Sequence, residues 1–202
     1  MPKIQSLTRL KTKQNIDMTT LPDGIMAVFT GSLDSKLATT ALDNIEENYD
    51  KYQELGLSVF FATQDDLETD SQAILYDPNR EFASTCSILS KKQDQCDALI
   101  IFEKKGTELT HLYTRENPEH KYDWIAHIIG MATNYQNPEP DKKNLWRFGQ
   151  RVTKPGEYLC VDCGYIDSFD IGDIFPVCEV CLSGDPDGPT DGPEQGYWEY
   201  LT

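Results

Sequence analysis

The chain of 202 residues lacks the features that mark several large protein classes. It has no run close to the roughly 20 unbroken apolar residues that a membrane-spanning helix needs, so we expect no membrane insertion. The apolar core of a secretory signal is also missing, and we expect a cytoplasmic protein. Bases are scarce, with 18 Lys and Arg against 34 Asp and Glu and a net charge of −16. Such an acidic surface repels phosphate backbones, which argues against a nucleic-acid partner.

The charge is distributed unevenly, and this suggests the domain organisation. Residues 1–20 carry four bases against one acid and are predicted to be a mobile basic leader, with a transit peptide as the minor alternative. Residues 151–202 carry two bases against eleven acids. Residues 21–136 read as an α/β domain, and the proline-containing residues 137–150 read as a linker. Trp146 and Phe148, near the end of this linker, are candidates for docking the second domain onto the first.

Residues 21–62 predict a strand–helix–strand unit. The apolar run at residues 25–30 follows a Pro-Asp-Gly turn, as a buried strand does. Apolar residues then recur at helical spacing from Ala38 to Tyr52, and Ser32 or Asp34 can cap this helix. A second apolar run at residues 57–62 completes the unit. Two strands joined by a helix imply a parallel pair with a right-handed crossover.

The remainder of the α/β domain predicts a short helix, a hairpin and a last helix. Residues 80–89 have the short-helix pattern. Residues 98–102 form an apolar strand that a Lys-Lys-Gly turn joins to residues 107–113. Residues 122–135 have the spacing of a helix, which the following prolines end.

This order of elements resembles that of the thioredoxin fold, and three local motifs resemble its peroxiredoxin branch. The motifs are YQELGLSVF at residues 52–60, LYDPNREFA at residues 75–83, and the strand at residues 98–102 with its Lys-Gly turn. The resemblance covers about residues 22–135. It implies a thioredoxin-like βαβ-α-ββ-α domain, followed here by a small β domain.

The same resemblance implies a reactive thiolate at the start of the first helix and a cis-proline before the hairpin. Residues 30–36 contain no cysteine, and residues 95–98 contain no proline. We therefore do not expect the usual redox chemistry. Cys86 and Cys96 remain as a regulatory disulfide or a displaced nucleophile, but with no C-x-x-C or nearby histidine we favour inert thiols.

The C-terminal domain contains the most specific motif of the sequence, C-x2-C-x14-C-x2-C. Its members are Cys160, Cys163, Cys178 and Cys181. Two C-x-x-C knuckles can place four thiolates at the corners of a tetrahedron, which is how structural zinc is held. The competing interpretation is two disulfides, which a chain without a secretory signal disfavours.

The residues around the cysteines bear on which metal the site would hold. The segment YLCVDCGYI at residues 158–166 resembles the first knuckle of rubredoxin, which implies a single iron, and equally the first knuckle of bacterial zinc ribbons. Leu182 stands after the second knuckle where a glycine amide usually approaches a sulfur. Fewer amide–sulfur bonds would tune an iron centre poorly, so Zn²⁺ is favoured and iron is the alternative.

The acidic composition of residues 151–202 argues against the nucleic-acid binding common among zinc ribbons. Residues 197–201 are predicted to be a third ribbon strand. Its Trp198 and Tyr200 either cover the small metal-centred core, which we favour, or form an exposed contact with a partner.

Three functions follow from these patterns. We favour a non-catalytic interaction or adaptor protein with a structural four-cysteine zinc site and an unidentified protein partner. The first alternative is a rubredoxin-like iron electron carrier. The second alternative is a divergent thiol oxidoreductase that uses Cys96 or Cys86.

Overall fold

A computed structural model of the chain describes residues 3–4, 20–65, 73–76, 97–116, 124–140, 142–184 and 195–201. The chain divides into two compact units, Met1–Tyr122 and Asp123–Thr202. Within the described ranges, no helix is long and apolar enough to cross a membrane.

In its described ranges, the first unit contains a six-stranded mixed sheet and two helices. The strand order is β1-β6-β5-β2-β3-β4. The strands are β1 (Lys3–Ile4), β2 (Gly24–Thr30), β3 (Ser58–Thr63), β4 (Ile74–Tyr76), β5 (Ala98–Lys105) and β6 (Glu108–Glu116). The helices between β2 and β3 are α1 (Lys36–Glu47) and α2 (Tyr49–Glu54).

The strand–helix–strand unit and the hairpin are both confirmed. β2 runs parallel to β3, with Met26 opposite Ser58. The strands are parallel because α1 and α2 carry the chain back to the end of the sheet at which β2 begins. β5 lies antiparallel to β2 on its other side, and β6 pairs antiparallel with β5 as the second strand of the hairpin. The fold is therefore mixed α/β, as the sequence predicts.

Apolar residues of the central strands form the core of the first unit. Every residue of β2 and β3 is buried, which explains why both appear in the sequence as continuous apolar runs. One core cluster includes Met26, Val28, Phe60, Ile100 and Phe102. The N-cap of α1 is Ser35, not Ser32 or Asp34 as the sequence analysis expected, and its Oγ accepts a hydrogen bond from the Ala38 N–H at 3.0 Å.

Two strands of the first unit were not predicted by the sequence analysis, and one predicted helix lies outside the described residues. Lys3–Ile4, which fall within the predicted leader, form the edge strand β1 beside β6. The run at Ile74–Tyr76, to which the sequence analysis gave no strand, forms β4 parallel to β3. The predicted helix at residues 80–89 lies outside the described residues.

The second unit is built on a small antiparallel sheet with the order β7-β10-β8-β9. Its strands are β7 (Leu145–Arg147), β8 (Gly156–Cys160), β9 (Ile166–Phe169) and β10 (Tyr197–Tyr200). Its helices are α3 (Trp124–Gln136) and α4 (Glu179–Gly184). The predicted third ribbon strand is present as β10, which pairs with β7 on one side and β8 on the other.

Hydrogen bonds join α3 to the segment that the sequence predicts to be a linker. The Asn134 side chain donates to the Phe148 carbonyl at 2.9 Å, and the Gln150 side chain donates to the Asn137 carbonyl at 2.7 Å. Arg151 donates to the Tyr135 hydroxyl at 2.6 Å. The helix α3 and these hydrogen-bond partners all belong to the second compact unit, Asp123–Thr202.

Candidate metal centre

The first knuckle is the turn between β8 and β9. Cys160 is the last residue of β8, and its N–H donates to the Tyr165 carbonyl at 2.7 Å. The Gly164 N–H donates to the Cys160 carbonyl at 2.8 Å, which closes the turn. Gly164 has a φ of 77°, a left-handed conformation that glycine adopts without a steric penalty. The turn thus fixes Cys160 and Cys163 beside each other.

The second knuckle lies at the start of the short helix α4. Cys178 directly precedes this helix and Cys181 is within it. The preceding segment is anchored to the residues between β7 and β8, since the Phe175 N–H donates to the Gln150 carbonyl at 3.0 Å. Phe175 and Val177 are buried, so the Phe-Pro-Val segment delivers the second pair of cysteines to the first.

The structure brings all four predicted metal ligands together. Their sulfur atoms lie within 4.8 Å of one another, and the shortest separations join Cys160 to Cys181 at 3.5 Å and Cys163 to Cys178 at 3.6 Å. Sulfurs bound tetrahedrally to zinc at about 2.3 Å are about 3.8 Å apart, so the cluster matches one metal ion. All four cysteines are free thiols here, and their separations are far longer than a disulfide bond of about 2 Å.

The four sulfurs occupy unequal environments. Burial raises the pKa of Cys178 to about 12 and, with hydrogen bonds donated to Cys163 and Cys160, also raises that of Cys181. Desolvation by itself raises the pKa of the exposed Cys163. However, hydrogen bonds from the Tyr165 N–H and the neighbouring thiols lower this pKa below its ordinary value. Four thiols packed so closely cannot all ionise unless a cation lies among them. A bound metal ion supplies that positive charge and stabilises the four thiolates.

Backbone amides approach the sulfurs of both knuckles. The Tyr165 N–H donates to Cys163, and the N–H groups of Val180 and Cys181 donate to Cys178. The sequence analysis expected fewer such bonds at the second knuckle because Leu182 replaces a glycine. The amides of α4 supply them instead, so the missing glycine does not separate zinc from iron. The donor set of four thiolates fits either metal.

An aromatic core lies under the knuckles and supports them. Trp198 is 1% exposed, packs against Phe148, Phe169 and Phe175, and donates its indole N–H to the Pro176 carbonyl at 3.0 Å. Trp146 is buried in the same core, with its ring 5.4 Å from that of Tyr158.

These positions bear on three sequence predictions. Of the two predicted contact residues, Trp198 belongs to the core. Tyr200 is half-buried, with the Lys154 ammonium 3.5 Å from the centre of its ring. Trp146 and Phe148, the proposed docking residues, pack inside the second unit itself.

The start of α1, where the family resemblance implies a reactive thiolate, is occupied differently in this protein. Residues 30–36 contain no cysteine. The Asp65 carboxylate accepts hydrogen bonds there from the Leu33 N–H at 2.8 Å and the Ser32 hydroxyl at 3.2 Å. A carboxylate therefore takes backbone and hydroxyl donors at this helix start. Cys86 and Cys96 lie outside the described residues.

Comparisons with known proteins found similar solved structures only. No family model matches the chain, and no curated protein does. AhpC of Mycobacterium bovis is similar, with a TM-score of 0.48 and 14% identity over 69% of this chain and 88% of that one. AhpC of Enterococcus faecalis has a TM-score of 0.48 and 14% identity, over 64% of this chain and 87% of that one. Peroxiredoxin Q of Xanthomonas campestris has a TM-score of 0.44 and 10% identity, over 58% of this chain and 86% of that one. At these identities and TM-scores the likeness assigns no function.

Proposed function

We propose that this chain is a non-catalytic interaction protein whose four cysteines hold a structural zinc ion. The observation that carries the proposal is the convergence of four thiols within 4.8 Å. A tetrahedral ion bound by four protein ligands has no open position for a substrate or a reactive water. The metal then serves to join the two knuckles and to stabilise a small β unit.

The α/β unit supports the non-catalytic part of the proposal. Its helix α1 starts with Ser35 as the cap, and the nearby donors of Leu33 and Ser32 go to Asp65. A thioredoxin-like enzyme would use such a helix start to stabilise a thiolate. The unit therefore fits a scaffold that presents a surface to a protein partner, in the cytoplasm where thiols stay reduced.

Metal analysis of the purified full-length chain tests this proposal. We expect a colourless protein with about one zinc ion per chain, as a closed four-thiolate site holds. A chain that turns over peroxide or a disulfide substrate at the rate of an efficient enzyme would contradict the non-catalytic role.

A rubredoxin-like iron electron carrier is the second candidate. Two observations favour it: amide–sulfur hydrogen bonds at both knuckles, and the exposure of Cys163. Amide bonds raise the potential of an iron–thiolate centre, and an exposed ligand shortens the path to a redox partner. A red protein that contains iron and reversibly takes up one electron would establish this function in place of the first.

A further inference from the structure

Apolar side chains are exposed around the candidate metal centre. Six large hydrophobic residues are exposed in the described part of the chain, and four of them flank the cysteines. These four are Val161 (48% exposed), Tyr165 (41%), Ile166 (48%) and Val180 (42%), and we call them the knuckle face. Single exposed apolar residues are ordinary on a protein surface, whereas a cluster marks an interaction site.

Each of the four residues lies within three positions of a cysteine of the two knuckles. Val161 follows Cys160 directly, and Val180 lies between Cys178 and Cys181. The Tyr165 carbonyl accepts the Cys160 N–H, and Ile166 pairs with Leu159 in the ladder of β8 and β9. Because the four sulfurs lie within 4.8 Å of one another, the chain segments that carry these residues converge at the candidate metal centre.

The knuckle face is held in a fixed conformation. The Val161 N–H donates to the Tyr197 carbonyl at 3.0 Å, which ties the turn to β10. The Gly164 N–H closes the same turn at 2.8 Å. An apolar surface on a rigid turn loses little conformational entropy when a partner covers it, which favours binding.

The charged residues that adjoin the knuckle face in the sequence are all negative, and the bases Lys142 and Arg147 lie over the ring of Tyr197 in β10. Asp162 and Glu179 are exposed and adjoin Val161 and Val180, and Asp167 follows Ile166. Residues 155–202 contain no Lys or Arg. Four thiolates around a divalent ion would add a further net charge of −2. The apolar cluster is thus bordered by anions without a compensating base in its own sequence segment.

We propose that the knuckle face docks a cationic amphipathic segment of a protein partner. Apolar side chains of that segment would cover Val161, Tyr165, Ile166 and Val180, and its Lys or Arg residues would meet Asp162, Asp167 and Glu179. The inference deepens the proposed function and rests on it, since the metal holds the two knuckles of the face together. Nucleic acid and a second copy of this chain, with its net charge of −16, are both repelled by the same anions.

A synthetic peptide with Leu and Lys at helical spacing is a suitable probe. Binding of the dye-labelled peptide to the full, metal-loaded chain is measured by fluorescence anisotropy at low and at physiological salt. A peptide of Leu and Glu tests the sign of the charge, and a peptide of Ser and Lys tests the apolar contribution. NMR shifts of the isotope-labelled chain locate the contact.

The variants separate the knuckle face from the acidity of the whole chain. Val161→Ser/Val180→Ser should weaken binding of the Leu–Lys peptide by about tenfold through lost apolar burial. Asp162→Asn/Glu179→Gln should weaken it by about threefold and reduce its dependence on salt. The matched control, Tyr49→Ser/Asp50→Asn, removes an exposed apolar residue and an exposed acid from α2 and should leave binding unchanged.

We expect NMR shifts at residues 160–166 and 178–181 with the Leu–Lys peptide only. Equal affinity for the Leu–Glu peptide, or equal losses in the control variant, would overturn the docking proposal. A dimer in sedimentation that Val161→Ser/Val180→Ser dissociates would assign the face to a second copy and also overturn it. Zinc-loaded protein that fails to bind refutes the docking face alone, whereas protein that takes up no zinc refutes the proposed function.

Discussion

At the scale of the residue, the candidate site is defined by the short distances between four cysteine sulfurs. Cys160 lies 3.5 Å from Cys181, and Cys163 lies 3.6 Å from Cys178. Each close pair joins one knuckle to the other. The site therefore depends on both knuckles, and the loss of one sulfur should disrupt both.

Substitution of a buried ligand tests that dependence. Cys160→Ala should lower zinc affinity by more than about 100-fold, since even indirect partners of zinc ligands contribute about 10–100-fold. Competition with a chromogenic chelator measures the affinity. The control Cys86→Ser/Cys96→Ser keeps the four ligands and should bind zinc as the unmodified chain does.

The same control variant tests the thiol-enzyme alternative. If Cys96 or Cys86 were a nucleophile, the double substitution would abolish any peroxide or disulfide turnover that the unmodified chain shows. We expect no efficient turnover before or after the substitution. A measured activity that disappears in this variant would establish the divergent oxidoreductase.

A second residue-scale feature is the contact of Asp23 with the buried Lys104. The Lys104 ammonium, 1% exposed, donates to the Leu21 carbonyl at 2.9 Å and to Asp23 at 3.1 Å. The Gly106 N–H donates to Asp23 at 2.7 Å. Hydrogen bonds from Gly106 and then Lys104 lower the pKa of Asp23 below its ordinary value of 3.8.

This contact predicts a pH dependence of stability. A depressed carboxyl pKa stabilises the folded chain above the pKa of the unfolded state, and the contribution is lost as the pH falls through the lower folded value. Asp23→Asn should therefore reduce the free energy of unfolding at pH 7 and have a smaller effect near pH 3. The effect is modest because Asp23 is 60% exposed. Urea unfolding at both pH values measures it, and an equal loss at the two would contradict the assignment.

At the scale of the element, β10 links the parts of the second unit. It pairs with β7 and β8, and its Trp198 places a ring in the aromatic core beneath the knuckles. The indole N–H has its partner in the Pro176 carbonyl, immediately before the second knuckle. One strand therefore connects the first knuckle to the second.

Trp198→Phe isolates that connection. Phenylalanine keeps most of the apolar area but leaves the buried Pro176 carbonyl without its donor, so we expect a loss of about 1–3 kcal/mol in the free energy of unfolding. Glu199→Gln, an exposed change in the same strand, should cost less than about 0.5 kcal/mol. Denaturant unfolding followed by circular dichroism compares them. Equal effects would show that the indole hydrogen bond does not stabilise the unit.

Elements with a strong local pattern were predictable from the sequence, and those that depend on long-range pairing were not. β2, β3 and β5 appear as apolar runs because they are buried, and α1 shows helical spacing over 12 residues. β7 has three residues and no periodicity, and it exists because β10, far along the chain, pairs with it. Its place in the predicted linker reflects that nonlocal contact.

The site shows the same division. The spacing of the cysteines predicted their convergence, because two C-x-x-C turns have few other uses in a reduced chain. The sequence analysis missed the amide–sulfur bonds at the second knuckle because the amides come from α4. This helix has six residues, which are too few to show a helical pattern in the sequence. The knuckle face could not be predicted, because the sequence does not show which apolar residues remain exposed after folding.

At the scale of the whole molecule, the two compact units differ in how they are stabilised. The first has a sheet with fully buried central strands. The second has a four-stranded sheet, and its metal centre supplies part of its stability on this account. All three tryptophans lie in the second unit, at positions 124, 146 and 198, so tryptophan fluorescence reports on that unit.

Removal of the metal should therefore be visible in fluorescence. Structural zinc contributes about 10–16 kcal/mol in small zinc domains, which is as large as the whole stability of a typical domain. A strong chelator should shift tryptophan emission to the red, and stoichiometric Zn²⁺ should restore it. Mg²⁺, which prefers oxygen ligands, is the control and should restore nothing. Emission that the chelator leaves unchanged would show that the unit folds without metal.

The most direct test of the central claim is the metal content of the chain after purification without added metal, combined with a count of its free thiols. The account predicts a colourless protein with about one zinc per chain, whose four ligand thiols become reactive only after chelation. A red protein containing iron, or a metal-free protein with these cysteines in disulfides, would contradict it.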